Sequence, residues 1–302
     1  MTSPQQPRPT SPATHRTARA DATGADATRA DSTPADATRA DVVRQVVVVV
    51  TAVVAIVLAA FGSGAFGGAE VSNAAGGALS ADATTIAPAT QAFSIWSVIY
   101  AGLVAYAIYQ ALPGQRARDR HRRLGPWVAA SLLLNAAWLF VAVQLGSVWG
   151  AAAVIVVLLL VLARIFVLLL RTRTASWVDA VVTDGTLGLY LGWVSVATAA
   201  NLAAAIASSG FDGAGLGVDG WSVVVLAVAG LVGVVLAVVG HGRLAPMLSL
   251  AWGLSWVAVG RLAAEPENVT AGATALVAAA AVAVVTVAVR LTRGRRRGDA
   301  TA

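Results

Sequence analysis

The sequence predicts an all-α fold, a polytopic transmembrane helix bundle of about eight helices with both termini in the cytoplasm, and three observations lead there. Of the 302 residues, 58% are hydrophobic and only 12% charged, with a mean hydropathy of +0.75, far from the balance of a soluble globular chain. The apolar residues gather in blocks close to the roughly 20 residues that a helix needs to cross a hydrocarbon core. The charges fall between the blocks, and the arginines fall in every second connection, as expected when positive loops stay on the cytoplasmic side.

Residues 1–41 are rich in Ala, Thr, Asp, Pro and Arg and carry a degenerate five-residue repeat from Arg19 to Thr38. Such a composition buries no core and predicts a disordered, low-complexity tail. The layout is not that of a cleaved signal peptide, because the first apolar run starts too late.

Apolar blocks then predict helices over 42–61, 93–112, 126–145, 148–170, 185–206, 221–240, 244–262 and 269–289. Glycines at 62, 64, 67 and 68 thin the end of the first block and leave its full span open. Arg39 and Arg44 precede the first block. Arg116, Arg118, Arg120, Arg122 and Arg123 fill the second connection, Arg171 and Arg173 the fourth, Arg243 the sixth, and a basic tail over 291–302 follows the last. The first, fifth and seventh connections carry acidic residues instead, among them Asp82, Asp219 and Glu265. Arg164 and Arg261 lie inside blocks; the expectation is that Arg164 snorkels to the interface and that Arg261 pairs with Glu265, four residues on.

Composition also excludes functions. Without cysteine there is no disulfide or thiolate chemistry, and the three histidines, His15, His121 and His241, have no metal-ligand spacing. No nucleophile with base and orienter, no paired catalytic carboxylates and no phosphate-binding glycine loop is present, so the sequence does not read as an enzyme. The formal charge of +6 and the high pI come from arginines beside apolar spans, which points to a bilayer with anionic headgroups as partner rather than to nucleic acid. No cofactor follows from the residues themselves. Asp179 and Asp184 stand near the start of the fifth block, where the helix dipole favours carboxylates.

The nine tryptophans sort by depth. Trp127, Trp149, Trp177 and Trp221 stand near block ends, where amphipathic rings anchor at headgroups, whereas Trp96, Trp138, Trp193, Trp252 and Trp256 lie deeper. Asn135 precedes Trp138 by three residues, and Tyr190, Trp193, Ala197 and Asn201 recur at helical spacing and share one face. A buried indole N–H wants an acceptor, so these polar and aromatic residues imply either helix–helix hydrogen bonds or a common pocket. Gly188 and Gly192, a small-xxx-small pair, suit close helix packing.

At these residues the chain resembles the tryptophan-rich sensory proteins related to the translocator protein (TspO/MBR). The segment FSIWSVIY from Phe93, LLLNAAWLF from Leu132 and the run from Leu187 to Asn201 match, in order, the motifs of that family's second, third and fifth helices. The resemblance covers 42–208 as a five-helix TspO-like unit and leaves 209–290 as three additional helices. It implies an aromatic-lined cavity that binds tetrapyrroles such as porphyrin or haem, or other flat hydrophobic molecules. Carried over position by position, the ligand-binding candidates are Trp96, Tyr100, Asn135, Trp138, Tyr190, Trp193, Ala197 and Asn201. The family's capping Trp and Pro-Pro pair are reduced here to Ala87-Pro88, and Leu189 replaces a proline. A secondary transporter and a membrane assembly partner without ligand chemistry are the competing readings.

Overall fold

A computed structural model describes residues 37–62, 76–211 and 215–299. The tail up to residue 36, the glycines at 64, 67 and 68, Glu70 and Asp212 lie outside them. Eight long helices follow in order: α1 Arg39–Gly62, α2 Ile95–Ala111, α3 Asp119–Leu139, α4 Val148–Arg171, α5 Thr186–Ser208, α6 Gly217–Val239, α7 Leu244–Ala263 and α8 Val269–Asp299.

Local chemistry sets several starts. Before α1, the Thr38 hydroxyl accepts from the Asp41 N–H at 3.3 Å and the Asp41 carboxylate accepts from the Thr38 N–H at 2.9 Å, a reciprocal cap. The helix therefore begins three residues before the apolar block. Ser147 caps α4 by accepting from Gly150 N at 3.1 Å. The largest difference at a helix start is at α3, which begins at Asp119 rather than near 126. Its first turns carry Arg120, His121 and Arg122, which read as loop in the sequence; in the fold the two arginines pair with carboxylates and His121 packs against tyrosine rings. At the other end of the chain α8 continues about ten residues past its apolar block to Asp299, through the arginines read as a tail.

Seven of the helical spans are long and apolar enough to cross a membrane. The exception is α7, whose 20 residues include Pro246, Ser249, Trp252, Trp256 and Arg261. Valines and leucines such as Val43, Val46, Val50, Leu231, Val235, Val277 and Val284 face outward, as lipid-facing positions do.

The helix α5 joins the two halves of the bundle. Sixty-seven per cent of its span is buried, against 33–44% for the other six spans, because it packs on α2 and α4 on one side and on α7 on the other. One core fills α1–α5. A second fills α6–α8 and also takes in Ile86, Val196 and Ala203. The α5–α7 contact is close because Gly188 and Gly192 present no side chain there: a Cβ at Gly188 would stand 2.8 Å from Ala245 Cβ, and one at Gly192 would collide with Pro246 O and Ser249 Oγ. Ala278 on α8 plays the same part against Gly230 on α6, where an added Cβ would stand 3.0 Å from the Ala278 Cβ.

Candidate functional site

The 3.6-residue period of α5 lines up Tyr190, Trp193, Ala197 and Asn201, and the packing of α2, α3 and α4 sets Trp96, Asn135, Trp138 and Leu158 opposite them. Between them lies a cavity of about 50 Å³, walled by Trp96, Asn135, Trp138, Trp193, Ala197 and Asn201. Six of the eight residues singled out in the sequence thus meet at one cavity. The remaining two stand behind the wall. Tyr100 stacks on Trp96 with ring centres 5.1 Å apart, and Tyr190 meets Trp96 edge-on at 5.8 Å. Trp96 and Trp193 are also edge-to-face at 6.3 Å, and Phe93 meets Trp193 at 5.6 Å, geometries that suit the ring quadrupoles.

Hydrogen bonds fix most of the polar atoms. Asn135 Nδ2 donates to Tyr100 OH at 2.9 Å. Trp138 Nε1 donates to Asn201 Oδ1 at 3.1 Å, and Asn201 Nδ2 returns to Ala197 O of its own helix at 2.9 Å. Tyr190 OH donates to Ser131 O at 3.3 Å. Trp193 differs: its ring is 1% exposed and its Nε1 has no partner. A buried unpaired donor costs about 1–3 kcal/mol, which sets Trp193 apart from the other polar groups around the cavity. No lining residue is charged.

The segment 76–94 closes the cavity with Ala78, Leu79, Ser80, Thr84, Ala87 and Pro88, of which only Ala87-Pro88 stood out in the sequence. The other lining residues it missed were partly legible: Ala200 and Ala204 continue the α5 stripe, and Phe93 opens the second-helix motif.

Helices α6 and α7 hold this segment down. Arg261, 1% exposed, donates to Thr84 O at 3.2 Å and Ala81 O at 3.0 Å. The expected ion pair with Glu265 does not form, because the guanidinium turns instead to these two carbonyls. Trp252 Nε1 donates to Ala92 O at 3.0 Å, Ala89 N donates to Trp256 O at 3.1 Å, and the Thr85 and Ser222 hydroxyls stand 2.6 Å apart. Arg261→Met removes two charge-assisted bonds, each contributing about 1.5–3 kcal/mol. Amide hydrogen exchange across 78–91 is expected to speed up at least about tenfold while α4 keeps its protection; unchanged exchange there excludes Arg261 as the latch.

At the opposite end of the bundle the arginines form a buried ionic network. Arg120 is 3.5 Å from Asp179 and pairs closely with Asp184, whose second oxygen lies 2.5 Å from Arg243 Nη1. The dipole reading of these carboxylates captures only part of this. Asp179 does sit at a helix start: Ser176 caps the turn Trp177–Asp179 by accepting the Asp179 N–H at 3.1 Å, and the Asp179 carboxylate accepts from the Ala175 N–H at 2.9 Å. In a regular helix residues five apart differ by about 140° around the axis, but Ala180–Gly185 forms a π-helical turn. The wider turn brings Asp184 round to the side of Asp179, so one arginine reaches both. Burial in this network lowers the affinity of Arg243 for its proton. Arg122 pairs with Asp41 at 2.8 Å, and His121, read as a loop residue, is buried on α3 between Tyr106 and Tyr109, its ring centre 5.9 and 5.7 Å from theirs. Arg164 is exposed on α4, its guanidinium 5.7 Å from the Trp127 ring centre, a cation–π contact at the lipid face. Among the described residues no group of three His, Cys, Asp or Glu side chains is placed to hold a metal ion.

No curated protein and no solved structure matches the chain. A family profile described as TSPO-like protein does, over residues 45–289. The match takes in α6–α8 as well as the five helices to which the motif resemblance extended. A match of that length, on a bundle whose motif residues meet at one cavity, makes this chain a member of the TSPO-like protein family.

Proposed function

We propose that the protein is a multi-pass receptor of the cell membrane that binds a small, flat, hydrophobic molecule in the aromatic cavity under the segment 76–94. The observation that carries this reading is the convergence of Trp96, Trp138 and Trp193 on one uncharged cavity in which the Trp193 N–H is unpaired. The arginine-bearing end, where α1 begins, faces the cytoplasm by the positive-inside rule, and its exposed basic groups meet anionic headgroups.

The tetrapyrrole that the family resemblance implies finds partial support. Flat aromatic walls suit it, but about 50 Å³ is far below the roughly 300–1,000 Å³ usual for small-molecule sites. No lining residue offers an axial nitrogen or sulfur ligand. With the segment seated, the cavity suits a smaller ring system, and a porphyrin needs the segment displaced.

Tryptophan fluorescence of the detergent-solubilised protein tests this, with protoporphyrin and the smaller flat probe naphthalene. Saturable quenching by at least one is expected, falling at least about tenfold in affinity in the Trp138→Phe, Trp193→Phe double variant. Non-saturable quenching by both, in wild type as in the variant, removes the reading. Proton-coupled transport has less support, because Asp179 and Asp184 are paired with arginines and Arg164 lies at the lipid face.

A further inference from the structure

The segment 76–94 has a second cavity on its other side. Thr84 and Ile86 form one wall, Ala203 and Ala207 of α5 a second, and Phe211 and Trp221, the latter on α6, a third; the volume is about 390 Å³. That lies within the range of about 300–1,000 Å³ usual for small-molecule sites, whereas the aromatic cavity lies well below it. Thr84 lines both cavities, so the two are neighbours separated by one turn of the segment.

Three features fit this pocket to a ligand. No lining residue is charged, so an ion entering it would meet no counter-charge and bear its full desolvation cost. The Trp221 and Phe211 rings, 5.4 Å apart and inclined at 60°, give an aromatic wall. Trp221 Nε1 and Thr84 Oγ1 are both buried without a hydrogen-bond partner, and buried polar groups of native proteins are rarely left so. In sequence Trp221 is an interfacial anchor; in the fold it is half-buried over this pocket.

We propose that the α5–α6 pocket is a second binding site, for a small apolar molecule that partitions into the bilayer and carries one hydrogen-bond acceptor, such as a ketone or ester carbonyl. The site does not depend on ligand binding in the aromatic cavity. Trp221 Nε1 is buried in the unliganded fold, so a rotation of the half-buried indole turns its N–H to the acceptor, and the hydrocarbon body fills the space between α5, α6 and the segment.

The indole N–H resonances of the full-length protein in detergent provide the test, with 9-fluorenone as probe and fluorene, which lacks the carbonyl, as control. The Trp221 resonance, assigned by its loss in Trp221→Phe, is expected to move saturably with fluorenone. Fluorene binds about threefold to tenfold more weakly, the range that one net hydrogen bond gives. Ala207→Phe, which fills the pocket, abolishes the shift. Should that variant not fold, Trp221→Phe serves instead: equilibrium binding of tritiated fluorenone then falls to the level of fluorene. A Trp221 resonance that stays fixed through the titration overturns the proposal, and so does equal affinity for the two probes. The Trp138 and Trp193 resonances report the other cavity in the same spectra, so failure of one site is told apart from failure of the other.

Discussion

Asp184→Ala is expected to lower the stability of the detergent-solubilised protein by about 2–3 kcal/mol, between an exposed ion pair and a fully buried one, because Arg120 keeps Asp179 while the partly exposed Arg243 loses its carboxylate. Asp184 is the shared anion of Arg120 and Arg243, and it joins α3, the start of α5 and the turn before α7. Its removal also strips Arg243 of its carboxylate, leaving Leu169 O at 3.0 Å as the acceptor for that side chain. Asp184→Asn keeps the shape and part of the hydrogen bonding and is expected to cost less. Thermal and denaturant unfolding of both variants measure the effect. A loss below about 1 kcal/mol for Asp184→Ala, the size of an exposed ion pair, means that water reaches the network and that it does not hold the helices together.

The second large effect is expected at Gly192. Any Cβ there runs into the backbone carbonyl of Pro246 and the Ser249 hydroxyl, and a carbonyl on a packed helix has nowhere to retreat. Overpacking of a core typically costs about 1–3 kcal/mol; Gly192→Val stands at or above the top of that range, because α7 must move as a body. The α5–α7 seam is where α6–α8 attach to the first five helices, so hydrogen exchange in α7 and α8 should accelerate together. Gly125 is the comparison. A Cβ there would meet Arg44 Cγ and Cδ at 2.7 Å, but those atoms belong to a long side chain that can shift, so Gly125→Ala is expected to cost less than about 1 kcal/mol. Equal losses at the two positions contradict this account of the seam.

The sequence determined by itself that the chain is a membrane bundle, that it has eight helices, and which residues of α5 share one face. Each of these rests on local physics: apolar blocks must satisfy their backbone internally in lipid, and a 3.6-residue period fixes which side chains share a face. Trp193, Ala197 and Asn201 could be assigned to one stripe for that reason, before any neighbour was known.

Tertiary structure decided the rest, because the deciding partners are far apart in the chain. Arg261 binds carbonyls 177 and 180 residues away, so its pairing with the segment 76–94 outcompetes the nearby Glu265 that helical spacing suggested. Asp184 faces Arg120, 64 residues away, only because one π-helical turn rotates it there, a geometry that hydrophobic periodicity does not encode. The arginines that open α3 read as a loop until burial against Asp41, Asp179 and Asp184 gives their charges a place inside the bundle.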